Sequence, residues 1–289
     1  MKKEKKGKKR IGSLVIDLII AAVLIVGIGL MVYPTFSDWW NSMHQSQAIA
    51  GYVERVADLT ADEYRQMWEE AEDYNAGLNQ KENRFLPTEE EDAYYRSILD
   101  VTGTGIMGYV QIPSIHVNLP IYHGTDSAVL EIAIGHIEGS SLPVGGAGSH
   151  CVISGHTGLP SAKLFNDIDK LKTGDTFMLQ VLDQTLTYEV DQIKVVWPDE
   201  LGDLAIDPDA DYCTLVTCTP YGINTQRLLV RGHRIANVPA DGAVTADALR
   251  IDPYYAVPFL LVALALVIAI RLAAAVFGSR KRKKGSTKA

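Results

Sequence analysis

Two residues able to do chemistry face each other across a short turn. Within Asp211–Arg234, DYCTLVTCTPYGINTQRLLVRGHR, an apolar, β-branched run ends at Cys218. A second apolar run opens at Arg227 after Pro-Tyr-Gly-Ile-Asn, so a nucleophile and a permanent cation flank one reversal of the chain. Gly222 and Asn224 supply residues that tolerate the positive φ such a reversal requires. Sulfur attacks carbonyl carbon without a strong base beside it, and a guanidinium stabilises developing negative charge without changing protonation state. The bland reading is that a cysteine ending a strand is a small buried hydrophobe.

A proton donor is needed as well, and seven histidines are available: His44, His116, His123, His136, His150, His156 and His233. Spacing alone does not choose among them. His156 lies in Ser154-Gly155-His156-Thr157-Gly158, just past a predicted strand and between glycines, where backbone can approach a substrate. His116 alternates with apolar residues and reads as a solvated strand position. No two histidines have zinc-site spacing and no CxxC occurs, so neither metal nor cofactor is expected. Asp207, Asp209 and Asp211 alternate like the start of a calcium loop. Tyr212 stands where that loop needs glycine and no glutamate closes it, so an acidic surface turn is expected.

The elements that must position these groups follow from periodicity. Thr60 and Glu63 have capping-box spacing, and Tyr64, Met67, Trp68, Ala71 and Leu78 recur at helical intervals, which predicts an amphipathic helix after a shorter one over 53–59. Residues 81–100 are polar and acidic and read as a connecting loop. From Gly103 onward the pattern changes to short strands over 108–112, 115–122, 151–154, 177–182, 186–196, 212–217 and 227–233, with a small helical piece over 161–171. Seven or eight short strands predict a mainly β fold, a closed or nearly closed barrel preceded by helices.

The formal net charge of -8 conceals basic ends: the first ten residues hold seven basic side chains and one acid, and Arg280–Lys288 holds six and none. The acidic stretch between them excludes nucleic acid as a partner. Leu18–Tyr33 is almost purely aliphatic, and Ala256–Phe277 is apolar apart from Arg271. Each approaches the ~20 residues that cross a bilayer. The Lys/Arg clusters lie outside both stretches, which places both termini in the cytoplasm and residues 34–255 outside the cell. Ala48-Ile49-Ala50 resembles a cleavage site, yet it lies far beyond the apolar stretch, so an uncleaved anchor is expected.

TLVTC-TPYGINTQR-LLVRGHR, the upstream Ser154-Gly155-His156, GIMGYVQIPSIHVNLPIYHGT and SLPVGG together resemble the pilus-assembly, or class C, sortases of Gram-positive bacteria, over roughly residues 100 to 235. The resemblance implies a sortase-type closed β-barrel and a cysteine transpeptidase. Its partners are pilin subunits with an LPXTG-like C-terminal sorting signal and a pilin lysine as acceptor. Cys218 becomes the nucleophile, His156 the general acid/base and Arg227 the cation beside the carbonyl oxygen. Ordinary cysteine and histidine pKa values, near 8.5 and 6.5, leave only about 1% of molecules with thiolate and imidazolium together near neutral pH. The expected organisation is a basic segment over 1–10, a membrane helix over 11–33 and an exported helical region over 34–80. A lid-like loop over 81–100, the catalytic barrel over 101–236, a linker over 237–253, a second membrane helix over 254–277 and a basic tail over 278–289 complete it.

The chain departs from the family at the lid, where many pilus sortases carry Asp-Pro followed by an aromatic residue. The corresponding slot offers Phe85-Leu86-Pro87 and an acidic run. Either Phe85 substitutes as the plug or the site is less occluded. Cys151 lies five residues before His156 and Cys213 five before Cys218. In the sortase fold the strands leading to the catalytic residues resemble parallel neighbours, so the equal offset offers a disulfide between Cys151 and Cys213. Two buried, reduced thiols are the favoured reading, because a bridge between adjacent strands tends to be strained. Two other functions stay open: a sortase that anchors proteins to cell-wall peptide, and a noncatalytic pilus scaffold.

Overall fold

The computed structural model of the chain describes residues 2–81 and 83–237, with side chains from Ile19 onward. The expected linker over 237–253, apart from its first residue, the second apolar stretch over 254–277 and the basic tail lie outside the described residues. Helix α1, Lys2–Ala57, continues through Pro34 and takes in most of the expected separate helix over 53–59, which is therefore not a distinct element. Among the described residues one helical segment, Ile19–Ala57, is long and apolar enough to cross a membrane. Residues through Trp39 belong to one compact unit, and Trp40 onward to a second that contains the barrel.

Within the barrel unit, the last turns of α1 attach by polar contacts to backbone. Asn41 Nδ2 donates to Ser161 O at 2.8 Å and Gln45 Nε2 to Ile132 O at 2.6 Å. The buried Tyr52 hydroxyl donates to Met107 O at 3.1 Å and accepts from Leu182 N at 2.7 Å, which satisfies a phenol taken out of water. Helix α2, Ala61–Leu78, starts at the predicted Thr60–Glu63 capping box. Its buried Asn75 amide exchanges two bonds with the backbone of Leu142, at 3.1 and 2.7 Å. A correction falls in the stretch read as a loop: α3, Glu89–Ser97, starts at a second capping box, Thr88 with Glu91. Four acids in its first turn complement the helix dipole.

Eight strands follow: β1 Ile106–Ile112, β2 Val117–His123, β3 Ile134–His136, β4 Ser149–Ser154, β5 Thr176–Val181, β6 Gln184–Val196, β7 Asp211–Thr219 and β8 Gln226–Ile235. A short helix α4, Ser127–Leu130, leads to β3. The strands close in the order β1-β2-β3-β4-β7-β8-β6-β5, with β2–β3 and β4–β7 parallel and the other pairs antiparallel. His116 is not on a strand. It caps a 3₁₀ turn, Pro113–Ile115, in the left-handed region with φ 55°. The predicted helical piece near 161–171 is reduced to a 3₁₀ turn at Ile168–Lys170.

Alternation along the strands separates two apolar layers. Phe177, Tyr188, Leu215, Val230 and their neighbours fill the barrel interior. Val152, Val196, Leu204, Val216 and Leu229 form a second cluster. Val216 and Leu229 sit one residue from Leu215 and Val230, so this cluster lies on the opposite, outward side of the sheet.

Candidate active site

Strand register pairs two of the predicted residues and carries the chain of the third alongside. Cys218, near the end of β7, pairs directly with Arg227 at the start of β8. Directly opposed residues on neighbouring strands project to the same face, so sulfur and guanidinium share a side. The intervening loop closes by bonds from Ile223 N and Asn224 N to Pro220 O, at 3.0 and 2.9 Å. Asn224 (φ 61°) and Gly222 (φ 77°) take the left-handed conformations predicted for the turn.

His156 arrives from the other side. β4 runs parallel to β7 with Ser154 opposite Val216, and Gly155 N continues the ladder by donating to Val216 O at 3.0 Å. The buried Thr217 hydroxyl donates to Gly155 O at 2.7 Å, so β7 grips both polar groups of Gly155. His156 follows Gly155 directly, one residue past the last of these contacts with β7. Neighbouring strands lie about 4.8 Å apart. The strands that carry or lead to the three residues are thus adjacent, in the order β4 (leading to His156), β7 (Cys218) and β8 (Arg227), and all three residues are half-buried.

Arg227 donates through Nη1 to Asn224 O at 3.3 Å and Gln226 O at 3.1 Å, and it forms no ion pair with a carboxylate among the described residues. Its charge is thus not neutralised by a neighbouring acid. Gly155 is required by packing: a Cβ there would lie 2.7 Å from Ile134 Cγ2 and 2.8 Å from Phe165 Cδ2. Neither the grip of Thr217 nor this close approach is signalled by spacing alone.

The remaining predicted residues are placed as follows. Cys151 and Cys213 are in-register partners on β4 and β7, both free and fully enclosed in the interior layer. Burial pushes the Cys213 thiol well above its ordinary range. His150 is buried with Nδ1 against Ala205 O at 2.8 Å and Nε2 against the Thr214 hydroxyl at 2.7 Å, partners that a neutral imidazole satisfies. Burial lowers its pKa to about 4. His123 and His136 are also buried and bonded inside the fold, so neither is available to Cys218. Asp211 bonds to Tyr188 and Ser149 side chains at 2.9 and 3.3 Å, and Asp209 N donates to Asp207 Oδ1 at 3.0 Å in a surface turn. Among the described residues no group of three or more His, Cys, Asp or Glu is arranged to hold a metal ion.

The Phe85-Leu86-Pro87 segment lies against the outward apolar cluster. Phe85 packs on it beside Ile137, while Leu86 is exposed. Arg84 fastens the segment, donating to Gly139 O at 2.8 Å and to Leu204 O at 2.6 Å, and its guanidinium carbon sits 4.4 Å from the Phe85 ring centre. Val216 in that cluster is two residues from Cys218 on the same strand face. Sequence reading picked out Phe85 but not Arg84, because the two carbonyls it meets are 55 and 120 residues away. A cavity of about 230 Å³ lies behind this segment, lined by Tyr74, Leu78, Lys81, Arg84, Pro87 and Glu138. None of His156, Cys218 and Arg227 lines it.

This closed barrel has known relatives. The sortase domain matches residues 110–235. Sortase D of Bacillus subtilis is 30% identical over 131 residues, which is 44% of this chain and 63% of that protein. The chain spans less than two thirds of the length of the curated relatives it matches. The crystal structure of sortase C1 from Streptococcus agalactiae is 49% identical with a TM-score of 0.64, covering 66% of this chain and 100% of that one. This chain belongs to the sortase family.

Its structural neighbours are, more narrowly, class C sortases. Another of them, sortase C of Clostridium perfringens, was solved with the C-terminal cell wall sorting motif. It is 44% identical with a TM-score of 0.57, over 66% of this chain and 99% of that one.

Proposed function

We propose that this chain is a membrane-held cysteine transpeptidase that joins pilin subunits. The observation that supports the reading is the β7–β8 register that pairs Cys218 with Arg227, with β4, the strand that leads to His156, on the other side of β7. The Cys218 thiolate attacks the threonyl carbonyl of a Leu-Pro-x-Thr-Gly-like signal, and Arg227 donates hydrogen bonds to the oxygen as it gains charge. His156, as imidazolium, gives its proton to the departing glycine amine, and the Thr–Gly bond breaks to leave a thioester on Cys218. A lysine amine of the next pilin attacks that thioester and loses its proton to His156. Sulfur leaves as thiolate and an isopeptide bond remains. No metal or redox step is required for this balance.

Phe85, held by Arg84, is the plug of this site in the same reading, covering apolar floor that a sorting peptide needs. The apolar segment of α1 anchors the chain, and the basic ends with the second apolar stretch make a two-span layout with the barrel outside the cell.

The test is polymerisation of a pilin by the full chain. Cys218→Ala abolishes it while preserving fold and subunit binding, and Arg227→Ala slows it by roughly 10²–10³-fold, the usual cost of an oxyanion donor. A Cys218→Ala protein that still polymerises pilin identifies a scaffold. Transfer to a wall-precursor amine, with none to a protein lysine, identifies a wall-anchoring sortase.

A further inference from the structure

The order His156, Cys218, Arg227 across the sheet gives the site a direction. On the transpeptidase reading, the carbonyl oxygen lies toward Arg227 and the amine that leaves lies toward His156, because that imidazole must protonate it. An incoming amine follows the reverse path, so the acceptor also approaches along the His156 side.

One exposed aromatic residue reaches that side. Tyr221, three residues after Cys218, is 71% exposed. Its ring leans from the β7–β8 loop toward the loop that follows His156. A Cβ built on Gly158 would lie 3.4 Å from Tyr221 Cε2 and 3.6 Å from Cζ. Gly158 has φ +80°, a conformation that favours glycine, so its backbone offers a bare surface beneath the ring.

That surface is braced. Gly158 N donates to Asn166 Oδ1 at 2.6 Å, and His156 O accepts from Phe165 N at 3.2 Å. The ring rests on a fixed platform two residues past His156 while most of it stays open to solvent. A large exposed aromatic face next to the amine's path suits a ligand with a methylene stem and a cationic end.

We propose that Tyr221 is an acceptor-contacting residue: its ring receives the stem and ammonium of the incoming lysine and sets the partition of the acyl-enzyme between aminolysis and hydrolysis. This inference rests on the transpeptidase reading and deepens it. The ring acts only after acylation, so the donor half of the reaction does not depend on it.

The experiment uses the full chain in detergent, a peptide carrying the sorting motif and a lysine-containing acceptor peptide. Single-turnover acylation of Cys218 is followed by intact mass, and the aminolysis-to-hydrolysis ratio by chromatography. For Tyr221→Ala the expected result is a ratio lowered about two- to fivefold, the range of an exposed cation–π contact, with acylation unchanged. Tyr221→Phe keeps the ring and holds the wild-type ratio. An unchanged ratio in Tyr221→Ala overturns the inference, as does an equal loss of acylation and aminolysis. Absence of acylation in the wild-type chain brings down the transpeptidase reading itself, a distinct result read in its own arm.

Discussion

Removal of the Phe85 ring should open the cleft by an amount that the structure allows to be worked out. Phe85 is half-buried on the outward cluster, which is worth about 1 kcal/mol, half of a fully buried ring. The Arg84 guanidinium over that ring at 4.4 Å adds about 0.5–1 kcal/mol. Phe85→Ala therefore destabilises the seated segment by about 1.5–2 kcal/mol, a shift of roughly 10- to 30-fold in the open population. The assay is the second-order rate at which a bulky, peptide-bearing thiol reagent modifies Cys218. Arg84→Ala, which deprives Gly139 O and Leu204 O of their donor, should accelerate labelling by a similar factor. The double variant should gain less than the sum, because the two side chains stack. Rates within about twofold of wild type for both single variants would refute the plug.

Three further outcomes are expected. Thr217→Val leaves the buried Gly155 carbonyl without its hydroxyl partner, costing about 1–2 kcal/mol. Tm and Cys218 acylation fall together, Thr217→Ser restores both, and an active, undestabilised Thr217→Val shows the grip to be idle. The His150 pKa lies below its unfolded value, at about 4, through burial. Its stabilising contribution is therefore complete above pH 6.5 and is lost as the pH falls toward 4. Glu138, whose carboxyl burial and Asp92 push up to about 7, acts with the opposite sign. The difference between wild type and His150→Gln in denaturant midpoints from pH 7 to 4 isolates the histidine, and equal slopes contradict it. Finally, one of the three thiols should react in the native protein and all three in denaturant, since Cys151 and Cys213 are enclosed and free. Two thiols still masked in denaturant, with the mass lower by two hydrogens, would establish the bridge instead.

What could be read in the residues divides along sequence distance. The Cys218–Arg227 pairing is a hairpin, and a hairpin is fixed by the residues within it, so its turn chemistry was legible. The Thr60 cap was legible for the same reason. Thr88 and Glu91 carry the same signal, yet the acidic run around them masked a helix that a dipole stabilises. β3 has three residues, too few to show a period, and its parallel pairing with β2 is visible only in three dimensions. The approach to β7 of the strand that leads to His156 depends on the β4–β7 register across some 60 residues, which no local pattern states. Arg84 and Tyr221 escaped because each works through backbone far along the chain: carbonyls of Gly139 and Leu204 for one, the bare surface of Gly158 for the other. The continuity of α1 to Ala57 absorbed a short helix that local periodicity had set apart.

The central claim is tested most directly by intact-mass measurement of the full chain mixed with a sorting-signal peptide and no acceptor. An adduct of the peptide up to its threonine should appear on Cys218, with release of the glycine-led fragment, and should disappear when a lysine amine is added. Release of that fragment with no adduct at any time, or an adduct that persists in Cys218→Ala, would contradict the account.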